Sequence, residues 1–370
     1  MVRTNNKIND EDTRELRRGW TTGACATAAA KASYIGLLTG QIPSEVFITL
    51  PGGQKPLFKI EESHFSEETC MAAVEKDAGD DPDVTHGSII RTIIRKSDKL
   101  SFKAGSGVGT ITKPGLPIGV GEPAINPGPR KMIEKNLQVI ADQHQSELNI
   151  EIEISVDNGA ALAEKTWNPR LGILGGLSIL GTTGIVIPYS CAAWIASIHR
   201  GIDVARATGI THVAACTGKT SEEAATTLYS LEPSAILDMG DFVGGTLKYL
   251  RSHPIPRVTI ASGFGKVSKL AAGHMDLHSK RSQVDPNFLA LLAAKDGTSM
   301  DICKKIKQAE SAGNIMEIME SNNLGLGDRV AKTAQAVVNE QIKDCANIEI
   351  LVYDRRGKQI GHAPFRKTLE

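Results

Sequence analysis

The sequence predicts two domains, an α+β domain (residues 1–185) and then an α/β domain with a mainly parallel sheet and a helical C-terminal part (186–370). Two observations predict this division. The chain has 370 residues, more than one hydrophobic core usually supports. Near residue 185 the pattern also changes, from short β-rich runs broken by Gly, Pro and Asp to alternating strand and helix patterns.

In the first half we expect strands at VFITL (46–50), SIIRTIIR (88–95) and NIEIEISV (149–156), and a helix at PRKMIEKNLQVIADQH (129–144). Residues 104–130, AGSGVGTITKPGLPIGVGEPAINPGPR, lack the apolar periodicity of an ordinary helix or strand. Structureless loops of this length are uncommon unless they are functional or disordered. We therefore interpret this stretch as a functional segment.

In the second half, the runs THVAACTG, SEEAATTLYSL, SAILDMGD, FVGGTLKYLRS and RVTIASGFG alternate between strand and helix patterns. Such alternation is typical of βαβ units and of a Rossmann-like parallel sheet with helices on its faces. Amphipathic runs at 299–320 and 328–343 predict helices, and NIEILVYD predicts a last strand.

The charge balance, the cysteines and the N-terminal segment indicate which classes of partner and which compartment to expect. Lys plus Arg and Asp plus Glu both number 42, so the net charge gives no argument for nucleic acid or an anionic membrane, and we expect neither partner. The six cysteines are scattered and read as reduced thiols. The polar N-terminus lacks the apolar core of a secretory signal, and no stretch approaches the ~20 apolar residues of a membrane span. We expect a cytoplasmic protein.

Two motifs lie at predicted helix starts. RRGWTTGACATAAAKAS (17–33) leads into an alanine-rich helix, and it fits either an anion site helped by Arg17 and Arg18 or a well-capped buried helix. CTGKTSEEA (216–224) has Val213 where a phosphate loop requires glycine, which excludes an NTP-binding loop. We expect Thr220 or Ser221 to cap a helix at the carboxyl edge of the sheet, where ligands of open α/β sheets bind.

SAILDMGDFVGG (234–245) joins an apolar strand ending in Asp238 to a turn with Gly240 and a helix with Gly244. A carboxylate so placed receives ribose hydroxyls, while glycine lets the backbone approach a nucleoside. The segment resembles the first motif of Rossmann-like methyltransferases, although its glycine spacing departs from theirs. A purely structural turn is the alternative.

ASGFGKVSKLAAGHMDLHSKRS (261–282) contains His274 and His278, which on a helix would share one face and could bind a metal. No third ligand is in view, so we expect no metal site. Hydrogen bonds to substrate carboxylates, or acid–base chemistry, fit the neighbouring Lys280 and Arg281 better.

Four motifs together resemble the CbiD family, the cobalt-precorrin-5B C1-methyltransferases of anaerobic cobalamin biosynthesis. They are RRGWTTGACATAAAKAS, GVGTITKPGLPIGVGEPAINPGPRKMI, NPRLGILGGLSILGTTGIV and GHMDLHSKRS. No single glycine motif is sufficient, and the resemblance depends on their order and joint presence. It implies methyl transfer from S-adenosylmethionine to ring carbon C1, giving cobalt-precorrin-6A, with the cobalt arriving inside the substrate.

With that reaction in view, we assign the cofactor to Asp238, Gly240 and Gly244. Gly181, Thr182 and Thr183, in the glycine-rich segment 172–188, form a second candidate surface. For proton transfer the candidates are Glu122, His274 and His278.

The substrate is a flat macrocycle ringed by acetate and propionate carboxylates, so it requires several separated cations. In or beside the specific motifs these are Arg17, Arg18, Lys113, Arg130, Arg170, Lys280 and Arg281. We expect Lys113, Glu122 and Arg130 to be the polar contacts of a preorganised rim formed by residues 104–130.

Two other classes of function stay open. One is a tetrapyrrole-binding carrier that does not alkylate its ligand, and the other is a Rossmann-type oxidoreductase of the same pathway that uses the Asp238 turn for a dinucleotide. Stabilisation by S-adenosylhomocysteine and not by NADPH would favour the methyltransferase. The sequence also leaves open a homo-oligomer and transient contacts with adjacent pathway enzymes.

Overall fold

The computed structural model describes residues 15 to 366, so most of the polar N-terminal segment lies outside the described residues. The chain forms two compact units. Unit 1 holds the chain up to Ile111, together with Val120–Asn168 and Ile173–Ser190; unit 2 holds Thr112–Gly119, Pro169–Gly172 and the chain from Cys191 onward. The domain boundary at residue 185 stays a prediction. No helix in the described part of the chain is long and apolar enough to cross a membrane.

Unit 1 combines many short strands with three helices. The strands are β1 (Gly19–Trp20), β2 (Glu45–Phe47), β3 (Leu57–Lys59), β4 (Glu62–Phe65), β5 (Thr69–Glu75), β6 (Ile89–Lys96), β7 (Ser101–Ala104), β8 (Thr110–Ile111), β9 (Ile150–Val156), β10 (Ile173–Leu174) and β11 (Ile185–Val186); the helices are α1 (Thr22–Thr39), α2 (Pro127–Gln143) and α3 (Gly159–Ala163).

The main sheet of unit 1 has the order β4-β5-β6-β9-β7. Its pairings are antiparallel except that of β7 with β9. Buried residues alternate along β6 and β9, because only one face of the sheet packs on the core. Helix α1 packs on β5, β6 and α2. Its alanines let it lie in the middle of these elements, almost wholly buried.

Most of the Gly- and Pro-rich stretch is ordered by pairing within unit 1, while its middle, Thr112–Gly119, belongs to unit 2. Strand β8 pairs with β10, and bridges join Val108 to Leu177 and Ile125 to Ile179. A Cβ on Gly107, whose φ is +76°, would lie 2.1 Å from the carbonyl oxygen of Val156. The expectation of no regular structure here is wrong at Thr110–Ile111 and at Pro127, where α2 already begins.

Unit 2 alternates strands and helices before a helical region. Its elements are α4 (Cys191–Ala207), β12 (His212–Cys216), α5 (Lys219–Tyr229), a 3₁₀ turn (Pro233–Ala235), β13 (Ile236–Asp238), α6 (Val243–Ser252), β14 (Arg257–Gly263), α7 (Phe264–Ala271), α8 (Pro286–Lys295), α9 (Met300–Lys307), α10 (Ala312–Ser321), α11 (Leu326–Ile342), β15 (Asn347–Tyr353) and β16 (Gln359–Ala363).

The sheet of unit 2 has the order β13-β12-β14-β15-β16. Strand β12 pairs in parallel with β13 and β14, β14 pairs in parallel with β15, and β16 is antiparallel to β15. Every residue of β12 is buried, as expected for a parallel strand covered on both faces. From β12 the chain goes first to one neighbour and then to the other, so the strand order reverses there. Ligands of open α/β sheets bind at such a reversal.

The alternating pattern of the second half is confirmed element by element, from β12 to β14. The run at 299–320 is two helices, α9 and α10, because Ser311 begins a new helix by accepting the N–H of Asn314 at 3.2 Å. Strand β16 was not expected. It follows a turn that contains Gly357 at a φ of +80°.

Helix α1 yields a stability prediction. Thr21 caps it, since the hydroxyl oxygen accepts the N–H of Ala24 at 3.2 Å. We expect Thr21→Ala to lower the free energy of unfolding by about 1 kcal/mol, measured by urea denaturation with circular dichroism. Thr21→Ser keeps the accepting oxygen and should stay near wild type. An equal loss in both variants would contradict a capping role.

Candidate functional site

The carboxyl ends of β12, β13, β14 and β15 meet at one edge of the unit 2 sheet. A cavity of about 500 Å³ lies there, within the size range of small-molecule sites. The loops after β12 (217–221), β14 (263–266) and β15 (353–355) line it, together with Lys269, Val284, Ala312, Gly313 and Met316. The cavity therefore lies where the strand order reverses.

Two helices begin at this cavity without a side-chain cap, α5 after Gly218 and α7 after Gly263. The expectation that Thr220 or Ser221 caps α5 is wrong. Gly218 occupies the capping position, and the Ser221 hydroxyl donates to the Gly218 carbonyl at 2.8 Å. The first N–H groups of each helix add a positive electrostatic potential at the cavity.

Lys266 links the loops after β12, β13 and β14. Its Nζ donates to the Thr217 carbonyl at 3.0 Å. The same atom lies 3.0 Å from Oδ1 of Asp241, an ion-pair distance, although Oδ1 accepts no hydrogen bond. The ammonium thus fixes the Asp241 loop against the end of β12.

Asp238 ends β13 beside the end of β12. The N–H groups of Met239 and Gly240 donate to the Cys216 carbonyl at 2.8 and 3.3 Å, and Gly240 has a φ of +56°. The half-exposed indole of Trp194 donates to the Asp238 carbonyl at 3.1 Å and covers Gly240. Asp238 thus lies at the carboxyl end of β13, the strand next to β12 at the edge of the sheet.

The pKa of Asp238 is raised, first because burial disfavours the charged form and then because of the nearby Glu222. Arg170 opposes the shift. Arg170 itself pairs with Glu222, its Nη1 lying 3.2 Å from Oε2. A half-buried carboxylate thus faces the edge of the sheet with no ion pair of its own in the described part of the chain.

His274 and His278 do not share a helical face, because both lie in the irregular segment after α7. Asp276 organises this segment by accepting the N–H of His278 at 3.0 Å and the Arg281 guanidinium at 2.5 Å. Nδ1 of His278 accepts the N–H of Lys280 at 3.2 Å, so a neutral His278 carries its proton on Nε2.

The same segment packs on the start of α6. The N–H of Gly244 donates to the Met275 carbonyl at 2.8 Å, and a Cβ on Gly244 would lie 2.8 Å from Cβ of Met275. Glycine is required there for close contact between two parts of the chain. The segment that carries His278 and the turn that carries Asp238 are thereby brought together.

Lys113 is the other predicted substrate residue in unit 2. Its Nζ lies 3.4 Å from Oε2 of Glu232 and contacts the Ser234 hydroxyl. Lys113, Arg170 and Arg281 are therefore all paired with carboxylates in this structure. Lys280 is exposed and makes no ion pair within the described residues.

In unit 1 the first backbone N–H groups of α1 are already hydrogen-bonded within the chain. The N–H groups of Gly23 and Cys25 donate to the carbonyls of Leu180 (2.9 Å) and Thr21 (3.1 Å). A Cβ on Gly181, whose φ is +121°, would lie 2.2 Å from Oγ1 of Thr21. Helix α1 is therefore buried and capped by Thr21, and its first N–H groups are bonded within the chain.

The remaining predicted residues of unit 1 lie at its surface. Arg17 pairs with Asp77, and Arg18 is exposed without an ion pair among residues 15–366. Thr182 and Thr183 are exposed. Arg130 lies 2.9 Å from Glu122 and donates to the Ile125 carbonyl at 2.7 Å, so it fastens the end of the Gly- and Pro-rich stretch.

Sequence reasoning missed the cavity residues Lys266, Lys269 and Arg355, and also Trp194. The glycines of ASGFG directly after a strand pattern were an available signal for the first two, since they indicate a loop at the carboxyl edge. Arg355 and Trp194 lie far from Asp238 in sequence, and no local pattern relates them to the site.

The fold and this edge define an α/β protein whose candidate ligand site lies at the carboxyl ends of its parallel strands. The chain belongs to the CbiD family. The family model CbiD matches residues 9–188, and a second model, described as CbiD, C-terminal domain, matches residues 276–364.

Relatives match nearly the whole chain. A protein of Paramagnetospirillum magneticum is 53% identical over 95% of this chain and 99% of its own length. One from Agrobacterium fabrum is 51% identical, covering 94% of this chain and 93% of its own. One from Rhodospirillum rubrum is 51% identical, covering 95% and 98%. Each of these three is named cobalt-precorrin-5B C(1)-methyltransferase.

Among solved structures, the cobalamin biosynthesis protein (cbiD) from Archaeoglobus fulgidus is 24% identical. It matches 83% of this chain and 85% of its own, with a TM-score of 0.39.

The shifted pKa values of Asp238 and Asp276 predict opposite effects of pH on the free energy of unfolding. The raised pKa of Asp238 means that its stabilising contribution is present below the unfolded value of 3.8 and is lost as pH rises through the folded pKa. Asp238→Asn should therefore raise the free energy of unfolding at neutral pH, and the gain should disappear as pH falls to 3.8.

Asp276 is the matched control of opposite sign. Burial opposes its ionisation, but the His278 N–H and the Arg281 guanidinium outweigh burial and lower its pKa. Its ionised form stabilises the fold above 3.8, and that contribution is lost as pH falls through the folded pKa. Asp276→Asn should therefore destabilise at neutral pH. Chemical denaturation of both variants across pH tests this, and shifts of the same sign would contradict it.

Proposed function

We propose that this chain transfers a methyl group from S-adenosylmethionine to C1 of cobalt-precorrin-5B, giving cobalt-precorrin-6A and S-adenosylhomocysteine. The observation that carries the proposal is the roughly half-identical sequence of relatives with that activity in their name, matched over nearly the full length of both chains. The cobalt belongs to the substrate.

S-adenosylmethionine supplies a sulfonium methyl, whose carbon–sulfur bond breaks, with the electron pair left on sulfur, as the bond to C1 forms. The enzyme's task is then to hold donor and acceptor in line, so positioning dominates. In this proposal Asp238 accepts the ribose hydroxyls of the donor. Its half-buried carboxylate lacks an ion pair in the described chain, and two hydroxyl donors would stabilise its charged form.

A Rossmann-like arrangement of unit 2 is part of the proposal. Its support is the reversal of strand order at β12 and the acid at the end of the adjacent β13. Gly240 lets the backbone approach the nucleoside, whereas the contact of Gly244 with Met275 favours a supporting role for that glycine. Gly181, Thr182 and Thr183 remain the second surface, supported by the exposure of both threonines, although the Thr183 hydroxyl already bonds the Ile185 backbone.

The cations predicted to bind the substrate fall into two groups, those without an ion-pair partner and those already paired with a carboxylate. Arg18 and Lys280 are exposed and make no ion pair in residues 15–366. Arg17, Lys113, Arg130, Arg170 and Arg281 already pair with carboxylates. Partly exposed pairs are worth only about 0–1 kcal/mol, so a substrate carboxylate can replace the protein partner at small cost.

Methyl transfer adds a positive charge to the macrocycle, and loss of a ring proton removes it. Among the candidates, Glu122 already forms an ion pair with Arg130, whose Nη2 lies 2.9 Å from Oε2. Neutral His278 has its Nδ1 occupied by the Lys280 N–H and so donates from Nε2. That geometry suits a hydrogen bond to a substrate carboxylate. His274, exposed after α7, is the residue we propose as the proton acceptor.

Anaerobic incubation with cobalt-precorrin-5B and S-adenosylmethionine carrying a labelled methyl tests the proposal. We expect one added methyl at C1, seen by mass spectrometry and carbon NMR, with S-adenosylhomocysteine formed in equal amount. Bound but unmethylated corrinoid would instead indicate a carrier. Stabilisation by NADPH and not by S-adenosylhomocysteine would indicate an oxidoreductase. His274→Gln should lower the single-turnover rate, whereas His144→Gln, on a second exposed histidine, should not.

A further inference from the structure

The cavity at the carboxyl edge of the unit 2 sheet is unbalanced in charge. Its charged lining residues are four cations and one carboxylate, namely Lys219, Lys266, Lys269, Arg355 and Asp354. Oδ1 of Asp354 accepts the N–H groups of Arg356 and Lys358 at 2.8 and 2.9 Å, so this carboxylate organises its own turn. An anionic group on a ligand would balance the lining.

Lys269 is the most buried of the cationic residues that line the cavity. The residue is only 7% exposed, and its Nζ donates to the Leu277 carbonyl at 2.8 Å. It forms no ion pair with any carboxylate of the described chain. An ammonium has three donors, and burying its charge is costly. Burial lowers the pKa of Lys269, and the nearby carboxylates of Asp241 and Asp276 offset this only in part.

Two further cations line the same cavity, one with an ion-pair partner and one without. Lys266 shares its charge with Asp241. Arg355 is exposed and has no ion-pair partner among residues 15–366. The uncapped starts of α5 and α7 add positive potential to that of these side chains. Val213 stands where a phosphate loop needs glycine, so the loop after β12 is not of the NTP-binding type.

We infer that this cavity is a carboxylate-binding site, with Lys269 and Arg355 as its cationic partners. The inference rests on the proposed function, whose two ligands both carry carboxylates. One is the α-carboxylate of S-adenosylmethionine, and the others are the acetate and propionate arms of the macrocycle. The chemistry of the site is the same for both sources, and an experiment with two arms separates them.

The test uses two pairs of variants of the full chain. Lys269→Met removes the buried charge at similar volume, and Lys248→Met, on the exposed face of α6 and outside the cavity lining, is its control. Arg355→Ala changes an exposed side chain whose loss should not affect folding. Arg356→Ala, the neighbouring exposed arginine outside the cavity lining, makes the same change of charge.

In the first arm, calorimetry measures the binding of S-adenosylhomocysteine and of methylthioadenosine, which lacks the carboxylate. If the site takes the donor carboxylate, both cavity variants bind S-adenosylhomocysteine about tenfold more weakly, and methylthioadenosine binds as in wild type. In the second arm, unchanged binding of S-adenosylhomocysteine with about a tenfold higher KM for cobalt-precorrin-5B assigns the site to an arm of the macrocycle.

Cavity variants that match their controls in both arms, in an active wild-type background, would overturn the inference and leave the proposed function intact. A wild-type protein that transfers no methyl would overturn the proposed function, and this inference with it. If Lys269→Met fails to fold, the comparison of Arg355→Ala with Arg356→Ala decides.

Discussion

The parallel pairing of β12 with β13 and β14 is the constraint on which the candidate site depends. The last carbonyl of β12, that of Cys216, accepts the N–H groups of both Met239 and Gly240, so the turn that carries Asp238 is held against β12. Because parallel strands end at the same edge of a sheet, the same pairing gathers the loops after β12, β14 and β15 around one cavity. The chemistry is thus positioned by backbone hydrogen bonds.

Close backbone approach gives unit 1 its unusual composition. Gly176 passes so near Gly107 that a Cβ on it would lie 2.3 Å from the Gly107 carbonyl carbon, and a Cβ on Gly109 would lie 2.8 Å from the Gly176 oxygen. Close contacts within unit 1 therefore account for Gly105, Gly107 and Gly109 of the stretch 104–130. The hypothesis of a substrate rim then depends on the few polar side chains of the stretch, above all Glu122 and Arg130.

Sequence patterns predicted the fold well where a single local requirement, such as burial on both faces of a strand, sets the residue types. The apolar runs of β12 and β14 and the strand ending in Asp238 are examples, since burial on both faces of a parallel sheet demands continuous apolar residues. His274 and His278 do not share a helical face, because α7 ends at Ala271 and Gly273 follows at a φ of +92°, in the left-handed region. The pairing of Arg170 with Glu222 depends on tertiary contact across 52 residues, and no periodicity predicts it.

Charge is distributed unevenly along the carboxyl edge. Asp238 and Glu222 lie at the ends of β13 and β12, whereas Lys266 and Lys269 follow β14 on α7. Lys266 is near enough to act on the charge of Asp238, so the two groups adjoin. For a ligand that spans both, one orientation places hydroxyls on the acids and a carboxylate on the cations. The reverse orientation sets the carboxylate against Asp238, which has no ion pair in the described chain and would repel it. In the proposed function, this separation of charge would favour one direction of ligand binding over the other.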